Sequence, residues 1–211
     1  MRIALIGASG LVGGEIVRRL PAATLTLVSR RPTGQVAREI VLPVERWAEA
    51  LAAEPVEIAI SALGTTIAKA GSREAFDRID RRAVVDFACA AKAAGARQMI
   101  VISSVGADPV SRSFYLATKG RMEQEIGLLG FDQFDIVRPG LLRGKRAEHR
   151  LGESIAIRLS ALTDRLTPAR LAAYRSIAVT DVAAATVALS GASSPGRFIH
   201  QGTALLELAS H

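Results

Sequence analysis

A doubly wound parallel α/β sheet with helices on both faces is the fold class that three features of the chain predict. Short apolar runs alternate with longer segments of helical period along most of the 211 residues. A glycine-rich turn, Gly7-Ala8-Ser9-Gly10-Leu11-Val12-Gly13, joins the first apolar run to the first helical segment. The inner runs Ile58-Ala59-Ile60 and Met99-Ile100-Val101-Ile102 are apolar without alternation, as in strands covered on two faces.

Taken in order, residues 2–6 read as a strand and 11–20 as a helix turning Leu11, Ile16, Val17 and Leu20 inward. Residues 24–29 form the second strand, Pro32-Thr33-Gly34 a turn, 40–42 a short strand and 44–52 a helix. A strand at 56–61 precedes a long helical region, 72–94, with a break near Asp80. Residues 98–103 are a strand, 114–129 a helix, and 134–137 a strand stopped by Pro139-Gly140. Beyond Gly144 the rhythm changes: helical patterns at 153–162 and 169–173, a strand at 176–179, a helix capped by Thr180-Asp181 and running to Leu189, a strand at 197–200 and a terminal helical turn at 204–209. One domain results, with 1–150 as its core and 151–211 as a small C-terminal lid plus a final strand and helices.

Composition narrows the function classes. At 49% hydrophobic and 22% charged the chain is neither disordered nor collagenous. No apolar stretch reaches the roughly 18 residues of a membrane helix, and the N-terminus does not read as a signal peptide. Cys89 is the lone cysteine, which excludes an internal disulfide and a cysteine-rich zinc site. A cytoplasmic location is the default expectation. The net charge is +7, and residues 138–175 carry nine basic side chains against three acidic ones, which suits an anionic ligand or an acidic partner. Nine aromatics, none interleaved with the arginines, do not suit nucleic acid.

The glycine pattern G-x-x-G-x-x-G, between a strand and a helix, carries the first chemical inference. Glycine is needed where the chain turns sharply and where backbone must approach a pyrophosphate closely. Unpaired N–H groups of the turn and the helix dipole would then face the anion, which makes Gly7, Ser9, Gly10, Leu11, Val12 and Gly13 the expected cofactor-binding positions. An acid at the end of the second strand would select a free ribose 2′-hydroxyl. The chain instead reads Ser29-Arg30-Arg31, two guanidiniums and a hydroxyl suited to a 2′-phosphate, so NADP (NADPH) is the expected cofactor. Solvated loop arginines are the competing explanation.

Tyr115 and Lys119 stand four residues apart and share one helix face. A phenol is a poor acid–base group near neutrality, and a neighbouring cation favours its ionised form. Ser103 and Ser104 lie at the carboxyl end of a buried strand, where doubly wound sheets bind their ligands.

These pieces, together with Leu63-Gly64-Thr65-Thr66, Lys69-Ala70-Gly71, Val105-Gly106-Ala107-Asp108 and Arg138-Pro139-Gly140, resemble the atypical short-chain dehydrogenase/reductases. They are most similar to the small oxidoreductases related to the HIV Tat-interactive protein. The match covers about residues 1–150. The resemblance implies a Rossmann-like domain binding NADP(H), with Tyr115 as general acid in reduction of a small carbonyl or enone. It implies that Lys119 activates Tyr115 and binds the nicotinamide ribose, and that Ser103 or Ser104, with Ser103 favoured, orients the substrate oxygen. Ala62, Leu63 and Gly64 would lie along the adenine and pyrophosphate, Pro139 and Leu142 near the nicotinamide, and Arg150 at a phosphate or an acidic substrate. Relatives acting on nucleotide sugars carry larger substrate domains than the sixty residues left here. Helix-mediated homodimers are common among relatives. Some act through protein–protein contacts, so a non-catalytic NADPH-binding regulator is the alternative, and a flavin-like or quinone carrier a more distant one.

Other residues read as structural. His149, His200 and His211 lack metal-site spacing. Cys89 reads as a buried thiol, Trp47 as packing, Asp80, Asp86 and Asp108 as helix or loop carboxylates, and Glu123 and Glu125 as solvated.

Overall fold

The computed structural model describes residues 1–52, 55–144 and 174–210. Among them, seven strands form one parallel sheet in the order β3-β2-β1-β4-β5-β6-β9. These are β1 (Ile3–Ile6), β2 (Leu25–Ser29), β3 (Arg38–Val41), β4 (Ile58–Ser61), β5 (Gln98–Ile102), β6 (Gln133–Arg138) and β9 (Gly196–Gln201). The order reverses between β1 and β4, and the crevice outside the carboxyl ends of those two strands is where such sheets take ligands. A two-residue pair, β7 (Leu142–Arg143) with β8 (Ile177–Ala178), lies apart from the main sheet.

Alternation along the strands assigns each helix to a face. Ala4, Ile6, Ala59, Met99, Val101 and Ile136 pack against α2 (Trp47–Ala52), α5 (Ala83–Ala93) and α6 (Phe114–Gly127). Ile3, Leu5, Leu27, Ile60, Ile100 and Val137 pack against α1 (Leu11–Arg19), α7 (Val179–Ser190) and Leu205 of α8 (Thr203–Ala209). Burial of each large aliphatic side chain contributes roughly 1.5–3 kcal/mol, and the central strands β1, β4 and β5 are covered on both sides. Trp47 is buried, its indole N–H donating to the Leu42 carbonyl at 3.0 Å, the packing role expected of it.

Differences from expectation have local causes. Leu11 is exposed at the rim of the crevice, because α1 begins there before its apolar stripe meets the sheet. Cys89 is exposed: the run Phe87-Ala88-Cys89-Ala90 is apolar all round, so it does not reveal the helix phase, and position 89 faces out. Ala178, not Thr180-Asp181, is the N-cap of α7. The short helices α3 (Ile67–Ala70) and α4 (Arg73–Asp77) are capped by the hydroxyls of Thr66 and Ser72. The expected break near Asp80 is a π-helical turn, Arg78–Arg82, between α4 and α5. Residues 174–210, expected on the far side of a division at 150, join the main structure through β9, which pairs with β6, and through α7, which packs on α1. The helices expected at 153–162 and 169–173, and with them most of the lid, lie outside the described residues.

Candidate active site

The glycine turn closes in a way that no other residue permits. Gly7 has φ +86°, and a Cβ there would stand 2.4 Å from the Ala62 carbonyl carbon. A Cβ on Gly13 would stand 2.1 Å from the Gly7 carbonyl oxygen. The turn therefore presses against the chain leaving β4, with the Gly10 N–H bonded to the Gly7 oxygen at 2.9 Å. Gly10 is the N-cap of α1 and offers no side-chain acceptor, and no acid stands in the first turn. The orphan N–H groups and the positive helix end thus keep their attraction for an anion. A cleft of about 560 Å³ opens over this end of α1, lined in part by Ser9, Gly10, Leu11, Gln35, Arg143 and Thr180. The volume and a cradle that any Cβ would fill fit a dinucleotide.

At the end of β2, Arg30 and Arg31 are exposed and have no carboxylate partner among the described residues. Ser29 is already engaged: its hydroxyl lies 2.8 Å from the Arg31 carbonyl and 3.1 Å from Glu39 Oε1. Glu39 also accepts the Thr33 N–H at 2.8 Å, which folds the loop back on itself. Reading along β2 alone missed this acid, because it arrives from the neighbouring strand β3.

The helix α6 carries Tyr115 and Lys119 one turn apart near its N-terminus. The Tyr115 ring is half-buried, 5.6 Å from the fully buried Phe76 of α4. Lys119 is buried and its Nζ lies 2.9 Å from Asp80 Oδ1. The other Asp80 oxygen accepts the Thr65 N–H at 2.9 Å. A Cβ on Gly64 would come within 3.9 Å of Lys119 Nζ, so the ammonium abuts the loop after β4. Asp80, expected to be an ordinary helix carboxylate, is one of the most buried groups in the molecule. Burial pushes its carboxyl above the usual range, while Lys119 and the Thr65 N–H oppose the shift.

The serine pair divides its work. Ser103 is buried and its hydroxyl donates to Glu123 Oε1 at 2.5 Å. Arg138 Nε donates to the same oxygen at 3.0 Å, and Arg138 Nη2 pairs with Glu123 Oε2. Ser103 thus faces the helix layer, contrary to the preference for it over Ser104. Glu123 is buried, not solvated, and is paired with Arg138, the first residue of the basic stripe. Glu125 is partly exposed and paired with Arg81 at 2.9 Å. Ser104 is half-buried on the loop that leaves β5, next to Gly106, whose φ is +77°. That loop sits hard on α6: a Cβ on Gly120 would stand 2.3 Å from the Asp108 carbonyl carbon. Gly120 is thus a site-shaping residue that only its place directly after Lys119 could have signalled.

A family model described as NAD(P)H-binding matches residues 7–191 of the sequence. The chain belongs to this NAD(P)H-binding family, an atypical branch of the short-chain dehydrogenase/reductases. Among curated relatives, Protein FMP52, mitochondrial, of Candida albicans is 40% identical over 165 residues, covering 72% of each chain. The fmp52 protein of Emericella nidulans is 38% identical over 168 residues, covering 73% of this chain and 72% of its own. Both carry the mitochondrial designation, which overturns the expectation of a cytoplasmic protein. Among solved structures, MoeE5 in complex with UDP-glucose and NAD superposes with a TM-score of 0.72 at 17% identity, covering 100% of this chain and 81% of that one. UDP-glucose 4-epimerase of Thermotoga maritima gives 0.71 at 13%, covering 95% and 77%. At such identities the likeness is one of fold.

The remaining expected positions of this family member are dispersed. Pro139 is buried, and its carbonyl accepts the Val105 N–H at 3.1 Å, tying the end of β6 to the serine loop. Leu142 is half-buried in β7, at the same end of the sheet. Arg150 and His149 lie outside the described residues. His200 is no isolated surface group: its Nε2 lies 2.8 Å from Oδ1 of the buried Asp135. Gln98 and Gln133 each donate to the other Asp135 oxygen at 2.8 Å, so the cluster braces β5, β6 and β9. Among the described residues no group of His, Cys, Asp or Glu could hold a metal ion.

Proposed function

We propose that this chain is an NADP(H)-dependent oxidoreductase that reduces a small carbonyl or conjugated double bond, with Tyr115 as proton donor. The observation that carries the reading is the position of Lys119. A buried ammonium is brought against the Gly64 loop of the nucleotide crevice, one helical turn from a phenol on the same face of α6. Burying a charge is costly, and a helix surface coincidence would not incur that cost.

The glycine turn and the N-terminus of α1 would hold the pyrophosphate, and Ala62, Leu63 and Gly64 would line its far side. Arg30 and Arg31 would pair with a 2′-phosphate, since Glu39 is committed to Ser29 and Thr33 and both guanidiniums face solvent. The nicotinamide supplies the hydride chemistry when bound. Lys119 stands one helical turn from the phenol and reaches toward the ribose. Ser104, with its hydroxyl on the crevice loop, steers the substrate oxygen, and Tyr115 delivers the proton to that oxygen. Ser103 holds the loop from beneath through Glu123. The motifs shared with the oxidoreductases related to the HIV Tat-interactive protein support the same roles, and a paired tyrosine and lysine have no use in a purely regulatory nucleotide sensor.

The test is a screen of aldehydes, ketones and quinones with NADPH, paired with the Tyr115→Phe variant. The expected result is turnover in the native protein and its loss in the variant, with NADPH affinity changed less than about threefold. Full turnover in Tyr115→Phe would remove the mechanism.

A further inference from the structure

We propose that Asp80 is the positioning residue of Lys119, fixing the ammonium in the crevice and supplying the counter-charge that keeps a cation there. Its catalytic meaning rests on the reading just given; the pairing itself does not.

Both side chains are nearly inaccessible, 4% exposed for Lys119 and 1% for Asp80, with 2.9 Å between Nζ and Oδ1. An ion that deep without its partner is strongly unfavourable, so each charge depends on the other. Asp80 is itself held, its second oxygen taking the Thr65 N–H, so the carboxylate is anchored to the loop that borders the crevice. The π turn explains how a helix delivers it. The widened turn Arg78–Arg82 buries Asp80, while Arg81 on the same turn binds Asp77 and Glu125. Such turns frequently mark functional positions.

The other charges packed around α6 are already committed. Asp77 is bound by Arg81 and Arg82, Glu125 by Arg81, and Glu123 by Arg138. Arg73 of α4 lies over the Phe114 ring at 5.3 Å. Among the described residues Asp80 is therefore the carboxylate paired with Lys119. Gly64 completes the arrangement, since a Cβ there would touch both Asp80 Oδ1 at 3.5 Å and Lys119 Nζ at 3.9 Å.

The experiment reads Lys119 directly. The chain has four lysines, Lys69, Lys92, Lys119 and Lys145, so its acetylation by acetic anhydride can be followed at each by peptide mass spectrometry. In the native protein Lys119 is expected to react at least tenfold more slowly than the exposed Lys69. In Asp80→Asn, which keeps an acceptor for Thr65 but loses the charge, Lys119 should react at least tenfold faster than in the native protein, with Lys92 unchanged. Asp80→Glu should return it toward the native rate. Where Asp80→Asn does not fold, the neutral pair Asp80→Asn with Lys119→Met should recover a native-like unfolding temperature. Unchanged Lys119 labelling in a folded Asp80→Asn protein, or a neutral pair no more stable than Asp80→Asn alone, overturns the assignment. Neither arm needs a substrate, so failure of the proposed reduction and failure of the Asp80 assignment are separately visible.

Discussion

Ser103 and Glu123 are joined in the interior by a 2.5 Å hydrogen bond, the hydroxyl donating to a carboxylate that Arg138 grips from the other side. The bond spends the Ser103 proton on the scaffold. Ser103→Ala should therefore act on stability: a buried carboxylate loses one donor, at a cost of about 1–3 kcal/mol, read by chemical denaturation. Ser104→Ala should act on turnover, lowering kcat by about 10²-fold, as removal of a donor to a developing oxyanion does, with stability changed by less than about 0.5 kcal/mol. The reverse pattern would return the substrate contact to Ser103.

The contrast between these two serines shows what the chain discloses in one dimension. The sheet was legible because its strands are apolar runs and its nucleotide turn needs glycine at fixed spacing, both local properties. That Tyr115 and Lys119 share one helix, a turn apart, was legible for the same reason. What Lys119 and Ser103 bind was not. Asp80 meets Lys119 across 39 positions, and Glu123 owes its burial to Arg138, which arrives from another strand. Glu39 reaches Ser29 only because β3 lies beside β2. Cys89 failed for a different reason, since an all-apolar helical run has no polar face to set its phase.

In the proposed reading Arg30 and Arg31 select the cofactor. Charge-assisted bonds to a 2′-phosphate are worth about 1.5–3 kcal/mol each. The double variant Arg30→Ala with Arg31→Ala should weaken NADPH binding at least about tenfold and NADH binding less than about threefold. The native preference should shrink as salt is added, because both groups are exposed. Fluorescence titration of the two nucleotides checks it, and equal losses would mean that the 2′-phosphate is held elsewhere.

Gly13→Ala tests the cradle. The added methyl would meet the Gly7 oxygen at 2.1 Å, and backbone on both sides leaves nothing flexible to yield. A cost of at least about 1–3 kcal/mol follows, equivalent to roughly 2–4 °C of unfolding temperature for each kcal/mol in a chain this size. Nucleotide binding should fall with it, because the N–H groups that face the anion would be displaced. Gly10→Ala, where the same methyl would sit 3.1 Å from that oxygen, should be milder in both measurements.

Asp77 sets an acid limit on the π turn. A hydrogen bond from Arg81 is the largest influence holding its carboxyl below the usual range; burial opposes it and Arg82 adds to it. A folded value below the unfolded one means the stabilisation is present above about pH 4, the unfolded aspartate value, and is lost as pH falls through the folded value. Asp77→Asn should therefore cost about 1 kcal/mol at pH 7, the scale of a well-formed ion pair near the surface. The difference between native protein and variant should close as pH is lowered below about 4. Urea denaturation of both proteins across the acid range checks it. A stability gap that stays constant down to the lowest pH would mean that Asp77 acts through its shape and not through its charge.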